Sequence, residues 1–338
     1  MLTLIYWFRN DLRLADNLAF TLACQQAQQH GMRLLPVVCH APPETTRWGF
    51  ARVGPHRQRV LYDTLADLDA QLRDRGSALL QLCGDPALAL PGLARVVNAD
   101  TVVAEDIAAP QERAEVSALQ AAGLRVQTVW QSSLLDPADL PFDMANLPAV
   151  FTQFRTRVER AGVLPSLPRA APSAVPPLPA AVWCAEDKCW TSHPELTRFL
   201  EPNWPLTLIN KAQAAIDFDK LDRAGLPYHL PAFQGGERAG LAHLRRYLAA
   251  KLPHSYKTTR NRLSGIDDSS KFSPWLASGA LSARTIHAEL KRFEAEYGAN
   301  DGTYWLWFEL LWRDYFRFLH LQHGSRLYHA RGLRHEHA

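Results

Sequence analysis

With 338 residues, 47% of them hydrophobic and 21% charged, the chain has the balance of an ordinary globular protein and a length that suggests two domains. A net charge of +3 is too mild to mark a polyanion binder by itself, and no apolar run reaches the roughly 18 residues that a membrane span needs. The opening MLTLIYWFRNDLRL becomes charged too soon for a secretory signal peptide, and five cysteines are few and odd in number, which favours a reducing cytoplasm over a disulfide framework.

Residues 1–131 alternate short apolar runs with amphipathic stretches. The expected strands are Leu4–Phe8, Leu34–Cys39, Leu79–Cys83, Thr101–Ala104 and Arg125–Val129, with helices near Asn17–His30, Pro55–Arg75, Pro86–Val97 and Pro110–Ala122. Continuously apolar strands are buried on both faces, so the expectation is a doubly wound α/β domain with a five-stranded parallel sheet. Several helices open on Pro or Asp, a good start signal. Arg9-Asn10-Asp11 stands after the first strand where a glycine-rich turn would hold a dinucleotide, which argues against a standard nucleotide site there.

Residues 132–234 read as an interdomain linker. Pro165, Pro168, Pro172, Pro176, Pro177 and Pro179 crowd one Ala-rich stretch, and proline fixes φ and lacks the backbone donor, so this segment is expected to cross the surface. Cys184, Cys189 and His193 offer half a metal site without an obvious second pair of ligands. From Gly235-Gly236-Glu237 to residue 338 the pattern is helical, with apolar residues three and four apart over Arg238–Leu252, Ser282–Tyr297 and Tyr304–His320. Residues 238–262 carry seven Lys and Arg (Arg238, Arg245, Arg246, Lys251, Lys257, Arg260, Arg262) and no acid, a run that is either a solvated helix face or an attractor of polyanions.

Two motifs in this half carry chemistry. Ser269-Ser270-Lys271-Phe272-Ser273-Pro274 combines hydroxyls, a cation and a helix-starting proline, which suits a phosphate and equally suits a plain capped helix start. The aromatic helix Trp305–Phe316 places Glu309, Trp312 and Arg313 on one face. They form either a pocket wall, with a ring to stack on a base, a carboxylate for its edge and a guanidinium for phosphate, or a core stripe with a helix ion pair.

Taken in order, these motifs resemble the cryptochrome/photolyase family, most closely its DASH-type cryptochromes. Tyr6-Trp7-Phe8-Arg9-Asn10-Asp11-Leu12-Arg13 with Asp16-Asn17 is similar to the family's opening signature, and Phe151-Thr152-Gln153-Phe154-Arg155 to a DASH-type segment. Gly235-Gly236-Glu237, Tyr256-Lys257, Thr259-Arg260-Asn261, Ser269–Trp275 and the aromatic helix follow. The resemblance implies FAD held in the helical domain, with Tyr256, Ser269, Ser270, Lys271 and Ser273 on the phosphate motif and Arg313 on a flavin-contacting arginine. Glu309 and Trp312 fall on contacts to a pyrimidine dimer, and Asp106 lies near an acid that touches an antenna, commonly a reduced folate such as methenyltetrahydrofolate.

The implied activity is that of a deoxyribodipyrimidine photo-lyase, a carbon–carbon lyase driven by blue light. Electron transfer from reduced FAD would split cyclobutane dimers, most readily in single-stranded DNA, or would serve photoreception. The family continues beyond the aromatic helix, so a chain shortened within the FAD domain is expected. Trp307, Phe308, Tyr315 and Phe318 are then expected to face water and invite a partner or aggregation. The alternative is a remnant that binds nucleic acid or a partner without flavin.

Overall fold

The computed structural model describes residues 1–40, 49–50, 53–191, 193–199, 230, 233–262 and 265–333. Its first half is a five-stranded parallel sheet: β1 (Thr3–Phe8), β2 (Arg33–His40), β3 (Leu80–Cys83), β4 (Ala99–Glu105) and β5 (Arg125–Val129), in the order β3-β2-β1-β4-β5. β1 is central and every residue of TLIYWF is buried, as a strand covered by helices on both faces requires. β5 departs from that pattern. It pairs only with β4, and Arg125, Gln127 and Thr128 are exposed along this charged, polar edge.

The helices α1 (Leu18–Gln29), α2 (Pro55–Arg73), α3 (Pro86–Val97) and α4 (Pro110–Ala121) start where the local chemistry favours it. Asn17 caps α1 by accepting from Phe20 N at 2.9 Å, and Asp85 caps α3 by accepting from Ala87 N at 2.9 Å. Prolines stand at the starts of α2, α3 and α4, where their missing donor is harmless. One core lies on each face of the sheet, built around Ile5, Trp7 and Leu93 on one side and Tyr6, Phe8 and Phe20 on the other.

The proline-rich segment does more than cross the surface. Val175 joins one sheet core, while Leu178, Val182, Leu196 and Phe199 join the other. Not all its apolar residues do so: Leu164 and Leu167 stay exposed. The part of the expected linker at 200–229 lies outside the described residues.

The helical half holds α5 (Phe151–Arg160), α6 (Glu237–Ala249), α7 (Tyr256–Thr259), α8 (Ser273–Ser278), α9 (Ala283–Tyr297) and α10 (Asp301–His323). Asn300 and Thr303 close a reciprocal capping box at the start of α10. The expectation of a water-facing aromatic face on α10 is corrected here. Tyr315 and Phe318 are buried, and Trp307 and Phe308 are half-buried, because α5 and residues 130–147 lie over them through Trp130, Leu135, Phe151 and Phe154. Phe316 does remain 55% exposed. No helix among the described residues is long and apolar enough to cross a membrane.

The two halves meet at the loop after β1. Leu12 N donates to Ser278 O at 3.2 Å, Arg13 Nη1 to Gly279 O at 2.8 Å, and the Glu237 carboxylate accepts from Leu14 N and Ala15 N at 2.8 and 3.0 Å. Asp16 receives the Ser282 hydroxyl and the Arg284 guanidinium. Gly279 has φ +72°, and a Cβ there would lie 1.8 Å from Asn10 O, so the approach of the halves requires glycine.

Candidate functional site

The Ser269–Ser273 stretch leads into α8 by way of Lys271, which adopts φ +53°. Its backbone is pinned from behind. His243 Nε2 donates to Ser270 O at 2.8 Å, and Phe272 is buried edge-on to the rings of His243 and Tyr247. Its polar side chains are left over: the hydroxyls of Ser269, Ser270 and Ser273 and the Lys271 ammonium make no hydrogen bond or ion pair with any described residue. Three unengaged hydroxyls and a cation on one pinned turn have the chemistry to hold a diphosphate.

Tyr256 is buried in the same core as Phe272 and Trp275. Burial, and next the charge of Glu309, push its phenol up to about 12. Beside it, Arg260 donates Nη1 to Glu309 Oε1 and lies 4.4 Å over the Trp305 ring. Glu309 therefore does not pair with Arg313, although they are four apart on one helix; α7 supplies a better-placed partner. Lys257 binds Asp301 at 2.7 Å, so two basic residues of the 238–262 run are tied to α10, one at its first residue and one at its third turn.

Trp312 and Arg313 point elsewhere. The Trp312 ring stacks on Phe151 with centroids 3.6 Å apart and lies 5.6 Å from Phe316. One face of the ring expected to stack on a base is thus taken by α5. Arg313 turns into the molecule, donating to Ser132 O at 2.6 Å and Leu276 O at 3.4 Å, and burial lowers its guanidinium to about 9, with Arg317 as the next cause. Its neighbour Asp314, wholly buried, accepts from Leu134 N and Leu135 N at 2.8 Å each and is pushed up to about 6 by burial.

At the other end, Asp106 follows β4 and donates its backbone N–H to Val129 O at 2.8 Å. The more unusual acid is its neighbour. Glu105 is 1% exposed, its Oε2 has no hydrogen-bond partner, and burial, then the charge of Asp11, push it up to about 7 against the pull of Arg317, Arg13 and Arg9. Sequence reasoning singled out neither Glu105, Arg260 nor Asp314. Arg260 sat inside a quoted motif, whereas Glu105 and Asp314 gain their character only from tertiary burial. Among the described residues no group of three or more His, Cys, Asp and Glu could hold a metal.

The sequence pattern of the DNA photolyase family matches residues 4–180, half of the chain. The chain belongs to the DNA photolyase family. Within it, the chain is 38% identical to a cryptochrome DASH of Gloeobacter violaceus, over 98% of this chain and 62% of that one. Among solved structures it is similar to the Synechocystis cryptochrome, with a TM-score of 0.80 and 36% identity, covering 97% of this chain and 63% of that one. A class III photolyase from Agrobacterium tumefaciens aligns with a TM-score of 0.71 and 25% identity, over 97% of this chain and 60% of that one. The chain therefore spans a little over three-fifths of the length of these photolyase-family relatives. The α/β fold with a helical C-terminal region is the one they share.

Proposed function

We propose that this chain carries the phosphate-binding half of a DASH-type FAD site and serves blue-light chemistry on DNA, as repair of cyclobutane pyrimidine dimers in single strands or as photoreception. The single observation behind the reading is the unengaged row of Ser269, Ser270, Lys271 and Ser273, anchored by Phe272 in the core that also buries Tyr256. The chemistry supplied by bound, reduced FAD is light-driven donation of one electron to the dimer and its recovery once the ring has split.

The residues themselves have static roles. The three hydroxyls and Lys271 hold the diphosphate, with Tyr256 as wall. Arg313 fixes the flavin side of the pocket, while Glu309 accepts from a base edge beside Trp312. Arg260 holds Glu309 in place, and the basic run 238–262 draws in the DNA backbone. Asp106 is proposed to contact a methenyltetrahydrofolate antenna, and the protein is proposed to work in the cytoplasm.

The test is an absorption spectrum of the purified chain after incubation with FAD, before and after denaturation. Released flavin near one per chain is expected. Absence of flavin after saturation with FAD overturns the reading and leaves a protein that binds nucleic acid or a partner without photochemistry.

A further inference from the structure

A hairpin in the segment between the two halves has no part in the flavin reading. Trp183–Cys184 (β6) pairs antiparallel with Cys189–Trp190 (β7), with Trp183 opposite Trp190 and Cys184 opposite Cys189. Opposed residues of an antiparallel ladder have Cα atoms about 4.5–5.5 Å apart, inside the roughly 4.4–6.8 Å range of bridged cysteines. Side chains alternate along a strand, so the two indoles share one face and the two sulfurs the other.

The indole face is anchored. The rings meet edge to face at 4.8 Å and pack against a sheet core. Arg73 of α2 lies 5.7 Å over Trp183 and donates Nη1 to Lys188 O at 3.3 Å, which fixes the turn. The sulfur face is accessible: both are free thiols, Cys189 is exposed, and Cys184 is half-buried with its thiol donating to Asp187 Oδ2 at 3.3 Å. Cys24, by contrast, is buried, and Cys39 and Cys83 lie on strands of the sheet.

We propose that Cys184 and Cys189 are a reversible dithiol–disulfide site, oxidised by low-molecular-weight disulfides. The exposed Cys189 thiolate attacks one sulfur of the small disulfide, forming a mixed disulfide and expelling one thiolate. Cys184, opposed across the ladder, gives its proton to solvent through Asp187 and attacks the Cys189 sulfur. The intrachain S–S bond forms as the second small thiolate leaves. The cysteine pair loses two electrons and two protons, and the small disulfide becomes two thiols. The proposal rests on hairpin register and accessibility alone, so it stands or falls independently of flavin binding.

The test is equilibration of the full native chain in buffers of oxidised and reduced glutathione, followed by acid quench and peptide mapping by mass spectrometry. The expected product is a Cys184–Cys189 disulfide, lighter by two hydrogens, with the Cys189 adduct only transient. In Cys184→Ser the glutathione adduct on Cys189 is expected to accumulate, at least tenfold over wild type, because no sulfur is left to resolve it. Two stable adducts on the wild-type pair overturn the proposal, as does bridging of this pair no faster than that of any other two cysteines.

Discussion

Asp16 and Arg284, 268 positions apart in the chain, form a buried ion pair with Nε 2.9 Å from Oδ2. They are 1% and 6% exposed, and the pair joins the loop after β1 to the start of α9. Together with Glu237 on Leu14 and Ala15, it makes the family's opening signature a clasp between the sheet and the helical half.

Removing one partner leaves a charge buried without its counterpart, so Arg284→Ala is expected to cost about 3–5 kcal/mol. Urea denaturation checks this. The double variant Asp16→Ala with Arg284→Ala is expected to lose less than the sum of the two, by about 0.5–3 kcal/mol.

Gly279→Ala places a Cβ against Asn10 O at a left-handed φ. A loss of about 2 kcal/mol or more is expected, read as a drop in melting temperature. Gly31, also at positive φ but with nothing within 4 Å, is the control: Gly31→Ala carries only the backbone strain.

Glu105 gives a pH signature. Its folded value of about 7 lies above the ordinary carboxylate range, so the folded protein holds a proton that the unfolded chain has released. That contribution to stability is complete below the unfolded value and is lost as pH rises through about 7. Asp314, at about 6, acts with the same sign. His243 and His287, pushed down by burial, act in the opposite sense, so the comparison must be between proteins. Glu105→Gln is expected to add about 1–3 kcal/mol at pH 8 relative to wild type and to lose that advantage by about pH 5. Urea midpoints across that range check it.

Lys271 separates binding from folding. With no described partner for its ammonium, Lys271→Gln is expected to weaken FAD about tenfold while leaving the urea midpoint unchanged. Arg313→Ala is expected to lower both, since the guanidinium holds Ser132 and Leu276 by their carbonyls. Glu309→Ala is expected to spare flavin and weaken binding of dimer-containing single-stranded DNA. Fluorescence titrations of all three variants distinguish these patterns.

The sheet was legible because its code is local. Strands β1 and β2 are mostly apolar runs, β4 has the apolar centre Val102–Ala104, and Pro or Asp marks several helix starts to within a residue or two. The helix Phe151–Arg160 was equally readable, with Phe151, Phe154 and Val158 at helical spacing and all buried, yet its residues were taken only as a motif. The exposure expected for α10 follows from the absence of the family's later helices, and α5 covers that face instead. The clasp was out of reach, because no periodicity announces that Glu237 will accept from Leu14. Likewise, helix spacing suggests Glu309 with Arg313, whereas the fold supplies Arg260 from another element, with Trp305 beneath it. For the cofactor site, the hydroxyl row was visible in the residues themselves, but the inward turn of Arg313 was not.

The clasp also bears on the order in which the molecule assembles. The five strands of the parallel sheet are complete by Val129 and Arg169 meets Asp16 soon after, whereas the partners of Leu12 to Asp16 from the helical half lie at Glu237 to Arg284. A ribosome adding residues from the N-terminus releases a chain able to form its sheet long before those partners exist. Until then the Leu14 and Ala15 amides remain hydrated, and the loop after β1 waits without its partners from the helical half. Closing so long a loop costs only logarithmically more than closing a short one, so the delay is one of synthesis time more than of entropy. Substitutions in the clasp are therefore expected to act on the docking of the helical half more than on the formation of the sheet.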